Sequence, residues 1–234
     1  MRHRALMGRH GKKALYFDGK DDYVEVSSFS SITSFPFAVE VLLKYDTFLQ
    51  GWKGIVNWDR DVKKGFWLLT HSYENRLVVG TGDGSTLGEV AIPMDEYSGR
   101  WTHIHVNYYE DHFDIYINAT HISTKTLDIT PALPIGNPLY VARRYYGYFS
   151  RGYIALVRMY DGRLFDWLER CGRGVGWFVR RNFIHALNLR ATDIREGLVL
   201  ELIPDTLDCA NGVWRDNSGY GNDGTIHGAR CIEI

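Results

Sequence analysis

Trp101-Thr-His-Ile-His-Val-Asn-Tyr-Tyr-Glu-Asp-His-Phe-Asp-Ile-Tyr-Ile-Asn118 contains two strands and the turn between them. Ile104, Val106 and Tyr108 alternate with His103, His105 and Asn107. After the polar turn Glu110-Asp-His112, Phe113, Ile115 and Ile117 alternate with Asp114, Tyr116 and Asn118. Successive side chains of a strand point to opposite faces, so each apolar set covers one face. The pattern predicts a half-buried antiparallel hairpin.

The same period extends outward in both directions. Ala14 to Phe17 and Tyr23 to Val26 flank the turn Asp18-Gly-Lys-Asp-Asp22. Phe37, Val39, Val41 and Leu43 line one face of the next strand. Gly65 to Thr70, Arg76 to Gly80, Leu139 to Ala142 and Gly152 to Tyr160 follow with turn residues between them. Short, regularly spaced strands predict an all-β, two-sheet antiparallel jelly-roll sandwich rather than βαβ units.

The texture changes at Asp161, and a helical insertion is predicted at about 162–191. Leu164, Phe165, Leu168 and Cys171 fall at helical spacing, with Asp161 or Gly162 as cap, until Gly172-Arg-Gly174 interrupts them. A second helix, Trp177 to Leu189, places Trp177, Ile184 and Leu187 on one stripe. That stripe is expected to cover the sandwich, leaving Arg180 and Arg181 in water; a subunit contact is the next reading, and a basic aromatic helix can also lie on a membrane or bind nucleic acid. Strand character returns at Gly197 to Ile203 and runs into Asp216-Asn-Ser-Gly-Tyr-Gly-Asn-Asp-Gly-Thr-Ile-His-Gly-Ala229. No linker interrupts this order, so residues 1–234 read as one domain: a basic arm at 1–13, the sandwich, the insertion, and C-terminal strands from 197 to 234 that complete the sheets.

The chain has 234 residues with 45% hydrophobic and 24% charged residues, ordinary for a protein with a substantial core. A net charge of −1 gives no global attraction to nucleic acid or membrane. No apolar run approaches the ~20 residues of a membrane span. The start lacks the apolar centre of a signal peptide, which implies synthesis in the cytoplasm, with a virion or a cell surface as possible destinations. The single glutamine, Gln50, hints at a hot habitat. Three cysteines form no metal cluster; a Cys209–Cys231 disulfide would staple the tail, but spacing does not establish pairing.

Taken in order, these segments resemble the laminin-G-like branch of the concanavalin A-like lectin/glucanase jelly rolls. Ala14-Leu-Tyr-Phe-Asp-Gly-Lys-Asp-Asp-Tyr-Val-Glu-Val26 resembles the first strand pair, Phe37 to Lys44 the second strand, and Trp101 to Tyr108 the Trp-x-His strand. Gly152 to Tyr160 resembles the late strand that starts at glycine and ends at an aromatic residue. Gly197 to Ile203 with Asp216 to Ala229 resembles the family's entry segment, which usually precedes the first strand pair; here it stands last, an order that a circular permutation or a register cut from tandem repeats would leave.

The resemblance implies three kinds of site. Glucanases carry catalytic carboxylates on one strand as Glu-x-Asp-x-x-Glu; the chain has no such stretch, and Asp59 and Asp61 lie among Arg60, Lys63 and Lys64, so no enzymatic activity is expected. Relatives hold calcium near an Asp-x-Ser-Gly loop, which nominates Asp216, Asn217, Asn222 and Asp223, with Asp18 or Asp21 if the termini meet. The competing reading is a tight turn, which favours the same residues. Sugar binding uses exposed aromatics beside planar polar groups, which nominates Trp58 and Trp67 together with Arg144, Tyr145, Tyr146 and Tyr148 around Gly147. Core or interface packing competes equally for those rings. The expected function is a non-enzymatic, lectin-like module that recognises glycan or glycoprotein surfaces or mediates adhesion. The alternative is a structural assembly protein, a homo-oligomer or virion subunit with an inert jelly roll.

Overall fold

The structure, a computed structural model, describes residues 11–27, 29–59, 62–144 and 147–234. Residues 1–10 of the basic arm, Arg60, Asp61 and the candidate sugar ligands Tyr145 and Tyr146 lie outside the described residues.

The hairpin forms as expected: β8 (Thr102–Tyr108) pairs with β9 (His112–Ile117) antiparallel, Val106 opposite Ile115. One layer runs from β10 (Thr120–Thr126) through β9, β8 and β3 (Phe37–Lys44) to β14 (Arg151–Tyr160). The far edge of β14 is shared by β1 (Lys13–Asp18), followed by β18 (Arg230–Glu233), and by β15 (Leu198–Asp208). The second layer runs β7 (Leu87–Pro93), β6 (Arg76–Gly82), β5 (Phe66–Thr70), β4 (Gly54–Trp58), β11 (Leu139–Val141), β2 (Tyr23–Val26), β17 (Gly224–His227), β16 (Val213–Asp216). β16 also pairs with β15, so hydrogen bonding passes from one layer to the other. A small hairpin, β12 (Arg143–Arg144) and β13 (Tyr148–Phe149), lies beside the start of β4. The arrangement is the expected all-β antiparallel jelly-roll sandwich.

The core lies between the layers. Phe37, Val39 and Val41 of β3, Ile104 and Val106 of β8, Leu68 of β5, Val79 of β6 and Trp214 of β16 all contribute fully buried side chains. Cutting one such aliphatic side chain to alanine costs on the order of 2–5 kcal/mol.

The end of the chain pairs with its own first strands. Ile226 of β17 lies opposite Val24, and Cys231 of β18 opposite Leu15. Cys209 and Cys231 form a disulfide with Cα atoms 6.2 Å apart. Spacing left that pairing open; the fold decides it by bringing the β15–β16 turn beside β18.

Two helices lie over the outer face of the first layer: α1 (Arg163–Arg170) and α2 (Val175–Leu187). Asp161 Oδ1 accepts the backbone N–H of Arg163 at 3.0 Å, and Gly172, at φ 59°, ends α1 in a conformation that favours glycine. Gly197, at φ 68°, starts β15 so close to α1 that a Cβ would stand 2.6 Å from the Leu164 amide nitrogen. The expected orientation of α2 is overturned. Phe178, Val179, Asn182 and Ala186 face the sheet, while Trp177, Ile184 and Leu187 are 36%, 57% and 53% exposed. The helix is apolar on both sides, and the polar group that must be buried, Asn182, chooses the inner one.

Candidate functional site

The outer face of the first layer is closed. His103, His105 and Asn107 share the polar face of β8, and all three are fully buried beneath α2. His103 and His105 are a packed pair rather than a metal site: their rings lie 5.7 Å from Phe183 and 5.5 Å from Phe178 of α2. Beside them lies a charged network in which every acid is matched. Arg158 Nε donates to Glu201 at 2.9 Å, its Nη1 stands 3.5 Å from Glu40, and His103 Nε2 stands 3.0 Å from Glu40. Glu201 also accepts from the Thr192 amide at 2.7 Å, Arg195 at 2.7 Å and Asn217 at 2.6 Å. Asn182 of α2 donates to Glu40 and to the Tyr160 hydroxyl. Burial alone would raise the Glu40 pKa, but the hydrogen bond from His103 and the charge of Arg158 reverse this and hold it at about 2. Burial takes His105 the other way, to about 4, so its ring is neutral at neutral pH. The two carboxylates that share Arg158 are therefore joints that fix α2 and the following segment to the sheet.

The outer face of the second layer is partly open at β2 and β11, where Tyr23, Glu25 and Tyr140 are half-buried, whereas every residue of β4, Asn57 included, is buried. Cross-strand register places Glu25, Tyr140 and Asn57 in one row, because Tyr140 of the central strand lies opposite both of the others. Next to this row, the Arg143 guanidinium sits 4.4 Å from the Tyr23 ring centroid and 4.6 Å from that of Tyr140. His227 stacks on the other side of Tyr23 at 4.2 Å. Arg143 Nε is buried and has no hydrogen-bond partner among the described residues. Farther along, Tyr148 is 45% exposed, with Arg144 at 5.1 Å and Lys53 at 5.7 Å from its ring.

At the other end of the row is a cavity of about 260 Å³ lined by Asn57, Asp59, Val62, Asn137, Pro138 and Tyr140. Asn137 donates to Asp59, and its carbonyl accepts the Trp58 indole N–H at 3.1 Å. Asp59 turns out of β4 at φ 63°. Burial, reinforced by Glu25, raises the Tyr140 pKa, so its hydroxyl keeps its proton and can donate. A phenol wall facing an amide pair and a carboxylate can stack on a ring and exchange hydrogen bonds with vicinal hydroxyls. Two amides and one acid offer both donors and acceptors.

The candidate sugar ligands fare unequally. Trp58 and Trp67 are corrected: both are fully buried and present no face to a ligand. Trp58 is a support that positions Asn137, and Trp67 lies flat across Gly80, where a Cβ would come within 2.4 Å of the indole nitrogen. Arg144 and Tyr148 stand together on the open face as a cation and a ring. The residues not nominated from sequence are Asn57, Asn137, Tyr140 and Arg143. The run Asn57-Trp-Asp reads as a solvated turn until strand register brings Tyr140 against it.

The four calcium candidates close a hydrogen-bonded loop. Asp216 Oδ1 accepts from the amides of Glu201 and Ser218, both at 2.9 Å. Its Oδ2 accepts from Ser218 Oγ at 2.6 Å and the Asn222 amide at 3.0 Å. Asp223 accepts the Asp216 amide at 2.7 Å, Asn222 donates to Ser31 and the Val199 carbonyl, and Asn217 donates to Glu201. This donor set fits a turn that locks β15 to β16, since the Asp216 oxygens already face four donors. Among the described acidic and histidine side chains, only Asp18, Asp21 and Asp22 come close enough together to share an ion. One Asp22 oxygen there accepts the Asp18 amide at 2.8 Å.

The laminin-G model of the concanavalin A-like lectin/glucanases superfamily matches residues 18–166, well over half of the chain. The first solved structure of similar shape is a Bacteroides ovatus protein assigned to carbohydrate binding: TM-score 0.66, 21% identity, 96% of this chain and 60% of that one covered. The chain thus spans 60% of that relative's length. The fourth domain of an extracellular arabinanase from Geobacillus stearothermophilus, solved with arabinotriose, gives TM-score 0.51 at 16% identity over 67% of this chain and 74% of that one. Two laminin α1 domains of mouse give TM-score 0.51 at 11% identity over 67% and 44%. At these identities the likeness establishes the fold. A comparison with curated proteins finds no match.

Proposed function

The chain belongs to the concanavalin A-like lectin/glucanase superfamily, and from that premise we propose that it is a non-enzymatic, lectin-like module that binds glycan on the open face of its second layer. The observation that carries the reading is the convergence of the Tyr140 ring with Asn57, Asp59 and Asn137 on one small cavity. That set has the stacking surface and the planar hydrogen-bonding groups that a sugar ring requires. Tyr148 and Arg144 extend the strip and give a longer chain a second foothold. The likeness to carbohydrate-binding structures raises the prior for this reading, and fold alone does not fix function.

Binding without hydrolysis is supported by the acids. Glycoside hydrolysis needs two carboxylates across the scissile bond, ~5–9.5 Å apart. Asp59 is the single carboxylate among the described cavity residues and already accepts from Asn137; Glu25, across Tyr140 in the same row, lies outside the cavity lining and accepts from Ser27 at 3.0 Å. Glu40 and Glu201 are paired, but both are fully buried beneath α2.

A glycan array tests the reading. The protein is expected to retain a defined set of glycans, and Tyr140→Ala and Tyr148→Ala to lose at least tenfold in affinity, about the 1.4 kcal/mol expected for a stacking contact. Melting curves of both variants check that the fold survives. A wild-type protein that retains no glycan on the array sinks the proposal.

A further inference from the structure

Apart from the neighbouring of Trp177 and Trp167, whose ring centroids lie 6.4 Å apart, the outward stripe of α2 is used neither by the core nor by the proposed glycan site. Trp177, Ile184 and Leu187 stand seven and ten residues apart on a helix that repeats every 3.6 residues, so they form one line along its outer side. Arg180 and Arg181 lie on the same arc and are exposed. Elsewhere, large exposed apolar side chains are spread over separate strands and loops, such as Leu49, Tyr73, Ile122 and Ile135. Scattered apolar residues need no explanation, whereas a continuous stripe marks a contact surface.

The charge on this segment is mainly basic, with Asp193 and Glu196 at the Trp177 end, where Glu196 stands 4.0 Å from Arg170. Arg170 to Thr192 contains five arginines and no acid. Asp193 faces this segment and pairs with Arg181 and His185; among the described residues Arg180 pairs with no acid. Lys12 reaches the C-terminal end of α2, where its Nζ donates to the Leu189 carbonyl at 3.1 Å and pairs with Asp205 at 2.9 Å. Arg173 stacks 4.9 Å from the Trp177 ring, at the helix end nearer α1.

We propose that the outer face of α2 docks on an anionic lipid surface, with Trp177, Ile184 and Leu187 entering the headgroup region and the flanking arginines meeting lipid phosphates and carboxylates. A tryptophan and two aliphatic residues interleaved with arginines along one side is the pattern of a helix lying in the plane of a membrane interface. A nucleic acid would use the arginines but not Ile184 and Leu187. A second copy would set Arg180 and Arg181 against their own counterparts across a two-fold contact. Because α2 covers the first layer and the glycan cavity opens on the second, the docked protein would turn the cavity away from the lipid.

Sedimentation with vesicles tests this independently of any glycan. The wild-type protein is expected to bind phosphatidylcholine vesicles containing about 30% phosphatidylserine, with binding weakening as salt rises. Pure phosphatidylcholine should retain roughly tenfold less, as several basic residues contribute. Arg180→Glu and the double variant Ile184→Asp/Leu187→Asp should each lower partition by roughly tenfold. All three positions are exposed, so melting curves should match wild type. The proposal is overturned if wild type ignores the anionic vesicles, binds both vesicle types equally, or is unaffected by the double variant. It is also overturned, in favour of self-association, if light scattering shows a dimer that the double variant dissolves while vesicle binding is absent.

Discussion

The two outer faces of the sandwich each carry an arginine among acids and aromatic rings, and the two arginines meet opposite environments. Arg158 lies fully buried under α2 between Glu40 and Glu201. Arg143 stands half-buried between the rings of Tyr23 and Tyr140 beside an open cavity. The first is neutralised by charge, the second is held by ring faces that leave its Nε unmatched. The difference shows what each face is for. A buried charge pair must satisfy all its partners within the protein, so it fixes position. A partly wet face keeps groups within reach of a ligand, here the Tyr140 wall of the cavity and the Tyr148 ring.

The largest effect separating the faces should come from Arg158→Ala. It leaves two carboxylates buried without their cation and should cost on the order of 3–5 kcal/mol. Denaturant titration measures it, and a midpoint close to wild type would show the network to be dispensable. Acid should come next, and it acts on the sealed face. The folded pKa of His105 is about 4, below the ~6.5 of an exposed histidine, so the unfolded chain binds the proton more readily. Its contribution is therefore complete above about pH 6.5 and is lost as pH falls toward 4, at most roughly 3 kcal/mol at about 1.4 kcal/mol per unit. Glu40, held at about 2, adds stability that is present above its ordinary value of 4.5 and is lost only toward pH 2. Melting temperature should fall by several degrees between neutral pH and pH 4.5, and His105→Gln should flatten that slope. An unchanged slope in the variant would assign the acid sensitivity elsewhere.

A smaller effect is expected from Arg143→Ala, about 1–2 kcal/mol for a half-buried cation–ring contact. Its glycan affinity should fall more than its stability. A loss of stability equal to that of Arg158→Ala would erase the contrast between the faces. The smallest effect should come from calcium. With the Asp216 oxygens already facing four donors, melting temperatures in millimolar calcium and in chelator should agree. A rise with calcium would reopen the loop as a cation site.

The strands were legible because alternation is local. Val106 beside Asn107 announces a strand whatever lies above it. The insertion was legible for the same reason, since Leu164 and Leu168 repeat at helical spacing. The site was less so. Alternation tells which side chains share a face but not which face is covered, and so Trp58 and Trp67 passed for exposed rings while Tyr140 drew no notice. Helical spacing likewise revealed the stripe of Trp177, Ile184 and Leu187, yet Phe178, Val179 and Ala186 make the opposite side equally apolar. Asn182 reaching Glu40 and Tyr160 settles the choice, and those partners lie more than twenty residues away.

Sequence alone determined the element types and order of most strands and of both helices, because backbone periodicity and turn chemistry act over a few residues. Tertiary structure decided the rest: which sheet face α2 seals, which cysteines join, and which polar groups converge on a cavity. Each of these depends on meetings between distant segments, where burying a charge or an amide without a partner costs more than any local preference can offset.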